Sequence, residues 1–279
     1  AIFILTSTSL IFVFAFIYNY NYSRELVLNR MEDNVRNLTN ATIHKIETVL
    51  QSAQNVPPFF ASYIEKHGYQ GDIVENLLHN CVAVHDEVYG CAIAFEPYAY
   101  QSDQKYHCPY FYKKDGDIAT AQLGNETYNY FLQDWYMLPK HLQKPVWSEP
   151  YYDEGGGNVI MSTYSVPFYR TDDGKAKFTG IVTADISLEW LVDLVSNISL
   201  LENGYAFLVS QNGVFVTHPN KEYIMRESVF GLAEALQDQR IRDIGKDMVR
   251  GGTGFVPYTS AQLNERSWVY YAPLPSTQW

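Results

Sequence analysis

Near the start of the chain, apolar residues recur with a helical period that survives one change of phase. Leu28, Met31, Val35 and Leu38 follow a 3-4-3 spacing, and Ile43, Ile46, Leu50 and Ala53 repeat it after a five-residue step. Glu32, Asp33, Arg36, Asn37, Asn40 and Lys45 fall between them as a solvated face. No Gly or Pro interrupts before Pro57-Pro58, so residues 23–56 predict one helix of about nine turns, on the order of 50 Å long. Such a helix must pack on both lobes of its own chain or on a partner helix. Ahead of it, residues 1–17 carry no charged side chain, and the first charge is Arg24. That is most of a bilayer span of ~20 residues. Tyr18, Tyr20 and Tyr22 follow where an interfacial aromatic belt would sit, and no A-x-A-like cleavage site precedes the polar region. Residues 1–22 are therefore expected to be an uncleaved, N-terminally truncated transmembrane helix.

Downstream the period changes. An apolar segment at 59–64 leads to a stop at Gly68, and a helix follows from Asp72, with Glu75 placed for a capping box and Ile73, Leu77, Leu78 and Cys81 on its apolar side. Strand patterns then appear at 88–95, 110–113, 159–168 and 178–186, with turns at Asp115-Gly116 and at Gly155-Gly156-Gly157-Asn158. The aromatic, irregular stretch 124–144 suits a loop or short helix over a sheet face. Ser187 can cap another helix carrying Leu188, Leu191, Val192 and Val195. Beyond Asn197 a second β unit begins, with a hairpin signal at Asn212-Gly213, where a type I′ turn would need positive φ, and later strands at 254–258 and 268–271. The fold class is α+β: a long N-terminal helix followed by two PAS-like antiparallel-sheet modules in tandem.

Composition adds bounds. The chain has 279 residues, 47% hydrophobic and 18% charged, with a formal net charge of -11. That length suits one large or two small domains. The acidic balance without a basic run argues against nucleic acid and against a polybasic membrane contact. No G-x-S-x-G, H-E-x-x-H, G-x-x-x-x-G-K or C-x-x-C occurs, so no catalytic residue, metal ligand or cofactor is assigned. Gly155-Gly156-Gly157 lacks the following Lys-Ser/Thr of a phosphate cradle and reads as a hairpin turn. Glu149, Asp153 and Glu154 are either a carboxylate pair of the glycosidase kind or a solvated loop tip. Cys81, Cys91 and Cys108, with His79, His85 and His107, lack the paired short spacing of a zinc site. One disulfide, its pairing undetermined, plus one buried thiol is the expectation outside the cytoplasm; three reduced thiols are the alternative.

The densest chemistry lies between Tyr128 and Asp185. Its Trp and Tyr residues can be core or the walls of a concave site. Their order carries more information than their number. Trp135-Tyr136, then Pro-Val-Trp-Ser-Glu-Pro-Tyr at 145–151, the Gly turn, Ser-Val-Pro at 165–167 and Gly-Ile-Val-Thr-Ala-Asp at 180–185 resemble the membrane-distal module of double Cache domains. These are extracytoplasmic sensor domains of bacterial chemoreceptors, sensor kinases and serine phosphatases. The resemblance implies a distal, ligand-binding module over 57–196 and a proximal module over 197–279, C-terminally truncated because the family has one more strand there. It also implies a periplasmic sensor held in the inner membrane.

In amino-acid-binding members of that family the matching positions are Tyr128, Trp135, Tyr136 and Asp185, with an Arg where this chain has Gln133. Gln offers one neutral amide in place of a charged fork, so the site suits an amine or a neutral polar metabolite better than an amino acid. Trp147, Tyr152 and Tyr164 are expected as further walls. Asp185 has a second reading, as a cap on the helix that follows. The functional expectation is small-molecule sensing relayed along helix 23–56, not catalysis. Its rivals are an anchored or secreted hydrolase working near Asp153, and a ligand-free spacer or protein-binding ectodomain. Met31, Val35 and Leu38 are expected either at a homodimer seam or on an intrachain face.

Overall fold

The computed structural model describes residues 2–172, 174–198, 204–260 and 265–279. Helix α1 (Ile2–Gln54) is continuous through the first 53 described residues, about 80 Å at 1.5 Å per residue. Among the described residues no helix is long and apolar enough to cross a membrane. The apolar run meets Asn19 and Asn21 and then the charged helix from Arg24. The prolines that were expected to end the helix instead begin another. Helix α2 (Val56–His67) carries Pro57 and Pro58 in its first turn, where the missing N–H groups have no intrahelical partner to lose. It buries Val56, Phe60, Ala61 and Ile64 and stops at Gly68, whose φ is 74°. Helix α3 (Gly71–Val84) has no side-chain cap, and Glu75 accepts the Tyr69 hydroxyl at 2.7 Å in place of the expected capping box.

The distal module is a seven-stranded antiparallel sheet. Strands β1 (Gly90–Phe95), β2 (Pro109–Lys114), β3 (Asp117–Gln122), β4 (Val146–Trp147), β5 (Tyr151–Tyr152), β6 (Ile160–Asp172) and β7 (Lys175–Ser187) run in the order β3-β2-β1-β7-β6-β4, with β5 also on β6. The two-residue alternation of the strands splits the core into two layers. Cys91, Ile93, Phe95, Val166, Val182, Ala184 and Ile186 face α1, α2 and α3. Ala92, Ala94, Tyr110 and Ile181 face a second cluster built with Tyr130, Trp135 and Tyr136. That second layer comes from a 3-10 turn at Tyr130–Leu132 and helix α4 (Asp134–Leu142).

The same division explains the thiols. Cys91 lies on the helix side and Cys108 on the opposite side of the sheet, and all three cysteines are free. The expected disulfide is thus not formed; Cys81 and Cys91 meet instead through a thiol hydrogen bond.

Helix α5 (Glu189–Ser196) leads to the proximal module: β8 (Leu208–Val209), β9 (Phe215–Thr217), α6 (Val229–Ala235), α7 (Gln239–Met248), β10 (Gly254–Ser260) and β11 (Glu265–Tyr271). The β8–β9 turn is not type I′, because only Gly213 (φ 77°) takes positive φ and Asn212 does not. Along α1, Met31, Val35 and Leu38 line a cavity of this module, while Leu50 and Ala53 enter the core beneath the distal sheet. Of the two places expected for this stripe, a dimer seam or an intrachain face, it lines the intrachain one.

Candidate functional site

Strand β7 is the spine of the site. Asp185 sits near its end, opposite Gly90 on β1 and opposite Thr163 on β6. The residue that lacks a Cβ beside it leaves space: a methyl on Gly90 would lie 2.5 Å from the Tyr110 hydroxyl. Tyr110 therefore folds over the strand toward Asp185, and its buried hydroxyl counters the rise in that carboxyl's pKa.

Around Asp185 the walls are Ala92, Tyr110, Leu123, Tyr128, Trp135, Tyr151, Asp153 and Thr183. Two carboxylates share this space. The Thr163 hydroxyl donates to Asp185 Oδ1 at 2.8 Å, which leaves the Tyr151 hydroxyl, 2.8 Å away, to donate to Thr163. Asp153 accepts the Tyr128 hydroxyl at 2.7 Å on Oδ1 and the Gly157 N–H at 2.7 Å on Oδ2. The glycine run is thus folded onto a carboxylate, and not onto a phosphate.

The electrostatics follow from burial without a counter-ion. Asp185 is pushed up to about 7, first by burial and further by neighbouring Asp153, against the opposing Thr163 hydrogen bond. Burial and Asp153 likewise push the Tyr128 hydroxyl up, so it stays a donor. No Lys or Arg is among the lining residues. The cavity in this form measures about 10 Å³, room for roughly one water.

Of the residues singled out from sequence, Tyr128, Trp135 and Asp185 meet here. The others lie elsewhere. Tyr136 is buried beside the pocket but turns its hydroxyl to Glu96 at 2.5 Å, where Lys140 also binds at 2.6 Å. Gln133 joins the 3-10 turn to α4 and is not on the wall. Trp147 and Tyr164, ring centroids 5.3 Å apart, pack on the helix-facing layer. Tyr152 is 57% exposed, while its neighbour Tyr151 points inward. Asp185 does not cap α5; Ser187 Oγ accepts the Glu189 N–H at 3.3 Å.

Tyr110, Tyr151 and Thr163 were missed as site residues, and Asp153 was singled out only as part of an acidic loop, not as a partner of Asp185. The available signal was parity: once Asp185 faces the pocket, its cross-strand partner Thr163 does too, and Tyr164 does not.

Comparison with known proteins bears on the fold. Residues 74–193 match the family model for the first PDC sensor domain of methyl-accepting chemotaxis protein-like proteins. The methyl-accepting chemotaxis protein PscA of Pseudomonas syringae is 26% identical over 119 residues, covering 42% of this chain and 18% of PscA. The chain spans about a fifth of the length of the curated relatives it matches first. Among solved structures, the extracellular domain of histidine kinase mmHK1S-Z3 superposes with a TM-score of 0.71 at 24% identity, over 84% of this chain and 86% of that one. The ligand-binding domain of Pseudomonas aeruginosa PctC in complex with GABA gives 0.59 at 17% identity, over 87% and 92%. At those identities the structures show the fold alone. The expected likeness to double Cache sensor domains is borne out, and with it the long helix followed by antiparallel PAS-like modules.

Proposed function

We propose that this chain is the extracytoplasmic sensing portion of a bacterial transmembrane receptor, and that its distal pocket takes a small cationic amine. One observation carries the ligand class: Asp153 and Asp185 converge on an aromatic-walled space whose lining includes no basic side chain. An ammonium group there gains two carboxylates and the faces of Trp135 and Tyr128. A ligand carboxylate would find no charged partner, since Gln133 stands at the position where the resemblance leads one to look for Arg and lies off the wall. The domain of PctC holds GABA, which presents both a primary amine and a carboxylate. Catalysis has less support. Glu154 is exposed on the turn, and Asp153 is occupied by Tyr128 and Gly157.

Two features support a membrane-side N-terminus. The side chains from Leu10 to Ile17 carry no charge and are exposed, and Tyr18, Tyr20 and Tyr22 follow them. A homodimer along 23–56 has less support, because Met31, Val35 and Leu38 face the proximal module.

Because the closed cavity holds about one water, binding requires the wall to part and re-close around the ligand. The test is a thermal-shift screen of primary amines, matched amino acids and matched carboxylates. Amines should raise the melting temperature and carboxylates should not. For a hit, affinity should tighten about tenfold from pH 6 to pH 8, as Asp185 ionises near 7. Stabilisation by carboxylates alone would overturn the reading.

A further inference from the structure

The segment 123–145 joins β3 to β4 and supplies Leu123, Tyr128 and Trp135 to the wall of the distal pocket. Most of the remaining wall stands on strands, where ladder hydrogen bonds hold it. Backbone at positive φ marks both ends of the connecting segment, Gly124 at 102° and Gln143 at 53°. A pocket that must part to admit a ligand parts here most readily, because lifting residues 124–143 breaks no strand pairing.

Side chains tie this segment to the sheet. Inside the pocket the Tyr128 hydroxyl donates to Asp153 at 2.7 Å, and the buried Tyr130 hydroxyl donates to Phe95 O at 2.7 Å. Outside the pocket, α4 is held by Glu96, the residue directly after β1. One oxygen of its carboxylate accepts the Tyr136 hydroxyl at 2.5 Å and Lys140 Nζ at 2.6 Å. Tyr136 and Lys140 stand one turn apart on α4, so a single oxygen holds the helix at two points. The anchor is itself fixed, since the Glu96 N–H donates to Thr179 O of β7 at 2.9 Å. Burial and then Glu96 hold the Tyr136 hydroxyl well above its ordinary pKa, so it remains a donor.

We infer that Glu96 is a positioning residue for the ligand site: by holding Tyr136 and Lys140 it sets where Trp135 stands against Asp185, and its release lets α4 lift. This rests on the reading of the distal pocket as the ligand site. An amine that takes Asp153 competes with Tyr128 for the same carboxylate, so the inner tie is the one a ligand disturbs. Glu96 is not on the pocket wall, and its tie persists and keeps α4 closed over the ligand. A fully exposed ion pair would contribute little. Here the Lys140 and Glu96 side chains are only 35% and 24% exposed, and the same oxygen also takes a buried hydroxyl.

Two buried thiols report on this without any ligand. Cys108 lies in the layer built with Tyr130, Trp135 and Tyr136, whereas Cys91 lies in the helix-facing layer across the sheet, and neither is exposed. Lifting α4 uncovers the first and not the second; global unfolding uncovers both. The experiment is iodoacetamide labelling of the full-length protein in detergent, read by mass spectrometry, with Cys81→Ser removing the partly exposed thiol. Glu96→Ala should label Cys108 at least about tenfold faster than the Glu96 parent and leave the Cys91 rate unchanged. Glu96→Gln, which keeps an acceptor for Tyr136 but loses the charge facing Lys140, should fall between them. Adding Lys140→Met to Glu96→Ala should change the rate by less than about twofold, because the two side chains act through one contact. Equal acceleration at both thiols would assign Glu96 to overall stability, and no acceleration at Cys108 would leave α4 held by packing; either overturns the inference. A second arm uses n-butylamine as the probe, which should dissociate about tenfold faster from Glu96→Ala than from the parent, and equal dissociation rates would also overturn the inference. If n-butylamine binds neither protein, the amine reading falls, while the ligand-free thiol rates still decide the role of Glu96.

Discussion

At the scale of single residues, the distal pocket is a place where folding and binding oppose each other. Asp185 is raised to about 7 in the folded chain, against an ordinary value near 4 when unfolded. Between about pH 4 and 7 the folded state therefore binds more protons than the unfolded one, and stability falls as pH rises through that window. Above it the loss is complete, at most about 4 kcal/mol for a shift of this size. Asp185→Asn should remove this pH dependence and raise the unligated melting temperature at pH 8, while abolishing stabilisation by amines. Melting curves from pH 4 to 8 check it; a variant less stable than wild type at pH 8 would contradict the account. Trp135 behaves differently. It is 4% exposed and belongs to the second core layer, so Trp135→Ala should cost about 3–5 kcal/mol regardless of ligand. Cys81 gives a third residue-level expectation. The hydrogen bond with the Cys91 thiol lowers it to about 7, and it is only partly buried, whereas the hydrogen bond with Cys81 and then burial push Cys91 well up. Alkylation of native protein should modify Cys81 first with a midpoint near pH 7, and all three thiols should react after unfolding. Recovery of a single reactive thiol under denaturing conditions would show a disulfide instead.

At the scale of elements, helix starts are made in different ways. Helix α3 starts without a side-chain cap, while α7 is capped by Asp238, which accepts from Arg240 N at 2.8 Å and Ile241 N at 3.4 Å. Asp238→Ala should cost about 1 kcal/mol in denaturant melts. No measurable loss would mean that the α7 terminus is held by packing. The prolines at 57 and 58 show the same dependence on context: read as a stop for α1, they are equally good as a start for α2. In the strands, the errors share one cause. Trp147, Tyr152 and Tyr164 were expected at the pocket, yet pairing places Trp147 opposite Tyr164 on the helix-facing layer and turns Tyr152 outward. A shift of one residue along a strand exchanges its faces, and aromatic content alone does not carry that parity.

At the scale of the whole molecule, α1 is the element that both modules share. Its lower apolar positions line the proximal cavity, and its upper ones enter the core beneath the distal sheet. The two environments overlap past the five-residue step between Leu38 and Ile43: Ile43 and Ile46 still line the proximal cavity, and Ile46 also joins the core cluster of Leu50 and Ala53. A buried carboxylate fixes it to the end of the chain: Glu47, 7% exposed, accepts the Ser276 N–H at 2.9 Å and its hydroxyl at 2.5 Å. Glu47→Ala leaves that partly buried N–H without its carboxylate and should cost about 1–2 kcal/mol, whereas Ser276→Ala, which keeps the N–H bond, should cost less. Equal losses in the two variants would show that the hydroxyl alone matters. Such a tie is what a relay requires, because motion of α1 is then communicated to the proximal module without slack.

The sequence by itself determined the long helix, the alternation of the strands, the absence of catalytic and nucleic-acid signatures, and the motif order that led to Tyr128, Trp135 and Asp185. These are local or ordered features, legible wherever periodicity and spacing carry the signal. Only the tertiary structure decided that Asp153 stands with Asp185, that Tyr151 and Thr163 serve the pocket while Tyr152 and Tyr164 do not, that three cysteines stay free, and that Met31, Val35 and Leu38 face their own chain. The reason is that each of these depends on which strand lies beside which and in what register. Register is set by the packing of the whole sheet, and a change of one residue reverses every side chain.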